Sequence, residues 1–409
     1  MLSIQEALDT ILNYTAPLTP VTMPLDESAG LVLAEDVMAH GNVPPFANSA
    51  MDGFAVQAVD IQQASEAAPV RLRVLENVSA GSVASQPVRP GTAIRIMTGA
   101  PLPDGADTVV HFEVTQTEDS DVLVLQALKH GANVRRAGED MKDGTVVLTA
   151  GTMLHPAEVG VCAAAGQMTV TIYPRVRAAI LTTGSELVDA AEVPGPGQIR
   201  DANAHSLRAQ LASIGAEPLV FARVPDTREA IRAALEKALE LADIVLTNGG
   251  VSAGDYDFVK EVLQEMGAEL IFWRVNQKPG KPMAFWTMGS KRIVGLPGNP
   301  VSCMVGVEEY VRPMVRRMMG HSLLYRPVRS AVFDERYAKG SDAARAHFVR
   351  VLLEERDGVL HARLTGPQGS GILTSMARAM GILIVSEDTP VLEAGRSVNV
   401  QLIGLPEDH

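Results

Sequence analysis

Ile244-Val-Leu-Thr-Asn-Gly-Gly-Val-Ser-Ala-Gly-Asp255 is an apolar strand-like run that breaks into a glycine-rich loop. Two loops of the same kind follow by residue 300: Lys278-Pro-Gly-Lys-Pro282 and Gly295-Leu-Pro-Gly-Asn-Pro300. In an open α/β sheet, ligands bind in the crevice beyond the carboxyl ends of the strands. Glycine there lets backbone N–H groups approach an anion, and a following helix adds its positive dipole end. With two lysines among them, the loops point to a phosphate-bearing or oxyanion ligand.

The sequence around these loops alternates. Strands are expected at 178–181, 219–224, 244–246, 269–273 and 293–295, with helices at 204–214, 228–241, 257–266 and 301–318. Asp226 and Glu229 are placed to cap the second of these helices. Such alternation predicts a central, mostly parallel, three-layer α/β domain over residues 175–326. Upstream, Ser3 and Glu6 fit a capping box that opens a helix to about Leu12. Residues 44–140 carry short strands at 70–75, 93–97, 108–110 and 122–125, punctuated by Pro44-Pro45 and Asp52-Gly53. They read as an inserted β module. A helix at 156–165 has proline at its start and Gly166 beyond its end. Residues 1–43 and 141–174 therefore form an N-terminal linker and helical domain around the insertion. After a linker near Arg326-Pro327, alternating runs at 347–353, 359–364, 382–385 and 397–403 predict a C-terminal β domain over 327–409. The expected fold is multidomain, α/β plus β.

Composition narrows the function. With 46% hydrophobic and 20% charged residues, the 409-residue chain is an ordinary globular protein. Its net charge of −13 argues against broad binding to nucleic acid or an anionic membrane. A local pair of lysines still suits a small anion, because salt screens the distant negative field. Cys162 and Cys303 lie far apart, and the nine histidines show no metal-ligand spacing. No secretory signal or membrane-spanning run is evident, so a cytoplasmic location is expected.

Familiar catalytic templates are absent. Gly280-Lys281 is followed by proline and lacks the upstream glycine of a nucleotide P-loop, and no dinucleotide fingerprint follows the first α/β strand. Lys278 and Lys281 instead flank Gly280 between prolines, a restricted turn able to present two ammonium groups to one anion. Acids recur in loops, at Asp52, Asp140, Glu186, Asp226 and Asp257. Carboxylates near phosphates usually hold a divalent cation such as Mg²⁺. Taken singly, Asp52 would only shape its turn, Asp226 cap its helix and Glu186 face a helix dipole. Arg345 and Ser370 are good oxyanion partners, with salt bridge and surface turn as their plain alternatives.

In chain order, Asn48-Ser-Ala-Met-Asp-Gly53, Ile94-Arg-Ile-Met-Thr-Gly-Ala-Pro101, Arg136-Ala-Gly-Glu-Asp140 and Thr183-Gly-Ser-Glu-Leu187 lead to the three loops. Arg345-x-x-Phe-x-Arg350 and Gln368-Gly-Ser370 follow. Together these strings resemble the molybdopterin molybdenumtransferase family, bacterial MoeA with the E domains of gephyrin and its plant counterpart. The resemblance implies an elongated homodimer whose cleft joins one subunit's α/β domain to the other's β insertion. It implies insertion of molybdate into adenylylated molybdopterin, molybdopterin-AMP, with a divalent cation and release of AMP. Asp52, Thr98, Asp140, Glu186, Asp226 and Asp257 would then be catalytic, with Asp52, Glu186 and Asp257 on the metal. Gly249, Gly250, Ser252, Pro297, Asn299 and Pro300 would hold the cofactor. Lys278, Lys281, Ser302, Arg345 and Ser370 would form the molybdate pocket. The upstream adenylyltransferase is a further partner the resemblance suggests. Phe54 and Phe258 stand where many relatives carry tyrosine, and Ser185 replaces a more polar or acidic residue of some, so no role rests on those side chains.

Three alternatives remain open at this point. A molybdopterin adenylyltransferase would not need the insertion or the C-terminal domain. A non-catalytic molybdopterin-binding scaffold would be free to lose the acids or lysines. Tungstate has the same charge as molybdate and nearly its size.

Overall fold

A computed structural model describes residues 1–249 and 258–404. Strands Arg177–Thr183, Ile244–Asn248 and Lys291–Leu296 lie parallel in that order, with Glu217–Val224 parallel on the outer side of the first. The chain leaves Arg177–Thr183 for one neighbour and returns to the other, so the strand order reverses there. That reversal is where an open sheet forms its ligand crevice. Ala284–Met288, absent from the expectation, then runs antiparallel to Lys291–Leu296 and to the edge strand Glu269–Trp273. Ala284, Phe285, Trp286 and Thr287 are all buried, so the run has no apolar–polar alternation to betray it.

Period-two alternation divides the sheet's side chains between two helical layers. Ala179, Leu181, Val245 and Ile293 pack with Ile231, Leu235 and Ala238 of helix Arg228–Leu241 and with Val259 and Val262 of helix Phe258–Glu265. Helix Ala202–Ile214 covers the other face, and it packs against Pro300–Gly306. The cap of Arg228–Leu241 is Thr227, whose side chain accepts from the Ala230 N–H. Asp226 is thus not the cap the sequence suggested, and its carboxylate is free for another partner.

The expected helix at 301–318 is three pieces: Pro300–Gly306, a π turn Val307–Val311 and Arg312–Met318. Pro313 supplies the cause. It lacks an N–H, and its ring would strike the carbonyl four residues back, so the preceding turn widens. The π turn carries Glu308, which accepts from Arg326 at 2.6 Å and lies 3.5 Å from Arg312. The segment read as a linker is therefore anchored. Neighbouring Glu309 has a buried carboxyl oxygen with no partner. Burial, then the charge of Glu308, pushes this carboxyl up from 4.5 to about 8. Between those values the folded state keeps a proton that the unfolded state releases, so stability falls as pH rises. Glu309→Gln should raise the melting temperature at pH 8 by at least about 2 °C and converge with the parent near pH 4. Thermal melts across that range check it.

The C-terminal strands close on themselves. Ala346–Arg356 pairs with Val359–Leu364, which leads through Val328–Phe333, Arg396–Leu402 and Gly381–Val385 back to Ala346–Arg356. Phe333, Val349, Val351, Leu383 and Val400 fill the interior. Closure removes exposed strand edges, except where Gln277–Lys278 joins Ala346–Arg356 as a short parallel addition. All of this belongs to one compact unit, Met1–Val21 with Tyr173–His409. The helix Ile4–Asn13 with its Ser3/Glu6 capping box belongs there too.

Thr22–Ile172 is the second unit. Its six-stranded sheet has the order Thr108–His111, Gly53–Val56, Thr92–Ile96, Val70–Val78, Asp121–Val124, Thr115–Glu118. Both faces are covered: Phe54, Val56 and Val110 join one apolar cluster, Ala55, Ile94 and Val109 another. Helix Pro156–Ala164 also lies in this unit, ended by Gly166 at φ +84°. A Cβ on Gly53 would sit 2.0 Å from the Val110 carbonyl oxygen. Since that obstacle is backbone, Gly53→Ala is expected to destabilise the unit by about 1–3 kcal/mol, read as a lower melting temperature.

Candidate active site

The chain's edge geometry assembles the site. Pairing of Gln277 with Ala346 and of Lys278 with His347 brings the end of the lysine loop to the start of the barrel strand, next to Arg345. Gly280 (φ +89°) permits the turn between the lysines, and a Cβ there would lie 2.9 Å from Gln277 Nε2. Buried Gln277 donates that Nε2 to the Gly280 carbonyl at 3.2 Å and accepts from the Tyr310 hydroxyl. The π turn thereby holds the lysine loop through Tyr310.

A second loop arrives from the barrel. The Val301 N–H donates to the Ser370 carbonyl at 3.1 Å, tying 366–371 to the helix that carries Ser302. Gln368 accepts from the Arg350 N–H at 2.9 Å and donates to the Arg350 carbonyl at 3.1 Å. The guanidinium of fully buried Arg350 bonds the Gly369 carbonyl and Ser375 Oγ. The result is a cavity of about 230 Å³ lined by Lys278, Lys281, Ser302, Arg345 and Ser370, with Pro297, Asn299 and Gln368 on its wall. All five residues assigned from sequence to an oxyanion thus meet in one place. An acid outside the lining pairs with two of the cavity's cations: Asp342 lies 2.8 Å from Lys278 Nζ and 3.3 Å from Arg345. The Lys278 hydrogen bond holds the Asp342 carboxyl below the ordinary carboxylate range.

At the carboxyl ends of the parallel strands, Gly249 has φ +92° and no room for a Cβ beside Thr183. Asn248 Nδ2 donates to the Pro297 carbonyl at 2.7 Å, while Asn203 Nδ2 donates to Asn248 Oδ1 and to the Gly298 carbonyl. These amides weld the first and third loops together. Pro300 opens the helix after Asn299. Asp226 accepts from the Ser185 N–H at 3.1 Å, and the Glu186 carboxylate folds back over Gly184. Gly250, Ser252 and Asp257 lie outside the described residues.

In the second unit, Asp52 Oδ1 accepts from both the Thr98 N–H and the Thr98 hydroxyl at 2.7 Å. Those two bonds, the backbone one first, hold the Asp52 carboxyl below its usual range. Asp140 is exposed, and no described hydrogen bond or ion pair joins it to Asp52 or Thr98.

Three family models match in chain order. The MoeA N-terminal region (domain I and II) covers residues 2–166, a probable molybdopterin binding domain 179–317, and the MoeA C-terminal region (domain IV) 335–403. A molybdopterin molybdenumtransferase of Bacillus subtilis is 34% identical over 98% of this chain and 94% of its own length. The chain belongs to the molybdopterin molybdenumtransferase family. Molybdopterin molybdenumtransferase 2 of Mycobacterium tuberculosis is 37% identical over 98% of this chain and 99% of that protein. Among solved structures, a molybdopterin biosynthesis MoeA protein from Pyrococcus horikoshii superposes with a TM-score of 0.82 at 31% identity, covering 98% of this chain and 100% of that one.

In this molybdopterin molybdenumtransferase-family enzyme, the acids expected on a divalent cation would offer it carboxylate oxygens, the ligand type Mg²⁺ prefers. Among the described residues no group of three or more His, Cys, Asp or Glu side chains forms a metal cluster. Both cysteines are free and buried, and burial pushes the Cys303 thiol up to about 12, so it is inert at neutral pH. No described helix is long and apolar enough to cross a membrane. Sequence reasoning missed Gln277, Gln368, Asn203 and Asp342. Gln277 adjoins the lysine loop and Gln368 opens the Gln368-Gly-Ser370 string without a role assigned to it, which was the available signal; Asn203 and Asp342 carried none.

Proposed function

We propose that the chain inserts molybdate into the dithiolene of molybdopterin-AMP, forming molybdenum cofactor and releasing AMP with the help of a divalent cation. One observation carries this reading: three cationic side chains and two serines, all expected on an oxyanion, line a single small cavity. Lys278, Lys281 and Arg345 neutralise the dianion, while the Ser302 and Ser370 hydroxyls donate to its oxygens. Neutralisation makes the metal centre easier for the dithiolene sulfurs to attack. Each displaced oxygen leaves as water and takes up two protons. The loops beginning at Gly249 and Pro297 receive the pterin and phosphate portions, with Gly250, Ser252, Asn299 and Pro300 beside them.

Asp52, Glu186 and Asp257 are the proposed ligands of Mg²⁺ or another divalent cation, and Thr98, Asp140 and Asp226 support them. A bound cation would polarise the phosphoanhydride, whose P–O bond water cleaves to leave AMP and the phosphate of the cofactor. The Thr98 bonds keep Asp52 ionised for such a role. The reading includes a homodimer in the cytoplasm, four domains divided as the sequence suggests, and delivery of substrate by the upstream adenylyltransferase. Tungstate would enter the same cavity. Reconstitution of a cofactor-free molybdoenzyme tests the proposal. Activity restored from molybdopterin-AMP only when this chain and molybdate are both present is the expected result. Binding of molybdopterin-AMP with no activity restored would favour a scaffold.

A further inference from the structure

We propose that Asp342 is an internal counter-anion, a positioning residue that holds the cavity's cations between turnovers and must be displaced by the incoming oxyanion. The inference rests on reading the cavity as an oxyanion site. Its partners in the described structure are Lys278 Nζ at 2.8 Å and the Arg345 guanidinium at 3.3 Å. Both belong to the same cavity wall. One carboxylate therefore neutralises two of the three cations assigned to the substrate, leaving Lys281 without an ion pair among the described residues.

The carboxylate is held there by a built support rather than by the cations alone. Lys339 is 4% exposed and donates its ammonium to the carbonyls of Arg345 (2.7 Å), Ala343 (3.4 Å) and Ser386. Asn276 Nδ2 bonds the Ala344 carbonyl at 3.1 Å. His347, 1% exposed, sets Nε2 3.2 Å from the Asp342 carbonyl and Nδ1 2.8 Å from the Tyr337 hydroxyl. That carbonyl can only accept, so Nε2 carries the proton and Nδ1 accepts from tyrosine. Burial pushes this imidazole down to about 4, so it stays neutral. Four successive backbone positions, 342–345, are thus pinned from beneath by Lys339, Asn276 and His347. The cations are the movable partners, since Lys278 is 42% exposed on a flexible stem.

The consequence is an exchange. A dianion draws Lys278 and Arg345 from a single carboxylate, and after transfer Asp342 takes them back. The unpaired carboxylate also repels bound oxyanion, which keeps binding reversible and the site from being blocked by other dianions such as sulfate. Loss of that charge should tighten the ground state without helping the transition state. KM for molybdate then falls while kcat does not rise.

Equilibrium binding of molybdate to the full chain tests the proposal. Asp342→Asn should bind molybdate about tenfold more tightly, with sulfate tightened in parallel. Asp342→Glu, which keeps the charge, should stay within about threefold of the parent. Lys281→Ala placed on the Asp342→Asn background should weaken binding again. Unchanged or weaker binding by Asp342→Asn would overturn the proposal and make Asp342 an organiser of the cations. If Lys281→Ala has no effect, or no form binds molybdate, the oxyanion reading of the cavity fails and the counter-anion falls with it.

Discussion

Lys281→Ala is expected to raise the molybdate concentration needed for half-maximal turnover by roughly 10–100-fold, the effect of removing one charge-assisted partner from a small anion site. The melting temperature should remain that of the parent. The two lysines of the loop differ in a way that favours this one for the test. Lys278 already has Asp342 as a partner, so its loss frees a carboxylate as well as removing a cation. No described hydrogen bond or ion pair engages the Lys281 ammonium, whereas its backbone carbonyl accepts from Val275 and Met283. Alanine keeps those backbone bonds. Steady-state kinetics at varied molybdate, beside a thermal melt, would check both halves. An unchanged molybdate dependence would remove Lys281 from the site.

Asp257→Asn is expected to slow AMP release by about a hundredfold or more while molybdopterin-AMP binding changes by only a few fold, because a cation ligand, the role proposed for Asp257, would act on charge that develops during anhydride cleavage. Asp257 lies outside the described residues; in sequence it follows the Asn248–Gly254 string and directly precedes helix Phe258–Glu265. Asparagine preserves shape and an oxygen donor but removes the negative charge a divalent cation requires. Rapid-quench measurement of AMP beside a separate binding titration distinguishes the two effects. Equal losses in both would make Asp257 a binding residue, and normal turnover would exclude it from the reaction.

The architecture was largely legible because its strongest signals are local. The parallel strands ended in glycine and proline, and helix 228–241 carried apolar residues at 231, 235, 238 and 239. Asp226 misled because an acid three residues before Glu229 resembles a capping box, yet Thr227 has the better placement and Asp226 turns to Ser185. Strand Ala284–Met288 was hidden by burial on both faces, and the π turn by Pro313, which only geometry could reveal. Barrel closure is a pairing of strands distant in sequence, so no single strand announces it.

For the site, the charged and glycine residues stood out in short strings, but their supports did not. Gln277 acts through the Gly280 carbonyl and Tyr310, and Arg350 through the Gly369 carbonyl. Such contacts join segments far apart in the chain. Asp342 carried no signal in the sequence, and only the pairing of Gln277–Lys278 with Ala346–Arg356 brings the lysine beside it.

The most direct test of the account is a single turnover of molybdopterin-AMP on the full chain, with AMP followed in the presence and absence of molybdate and of Mg²⁺. AMP release that requires both, together with formation of molybdenum cofactor, is the predicted result. AMP release independent of molybdate, or tight binding with no release under any condition, would contradict it.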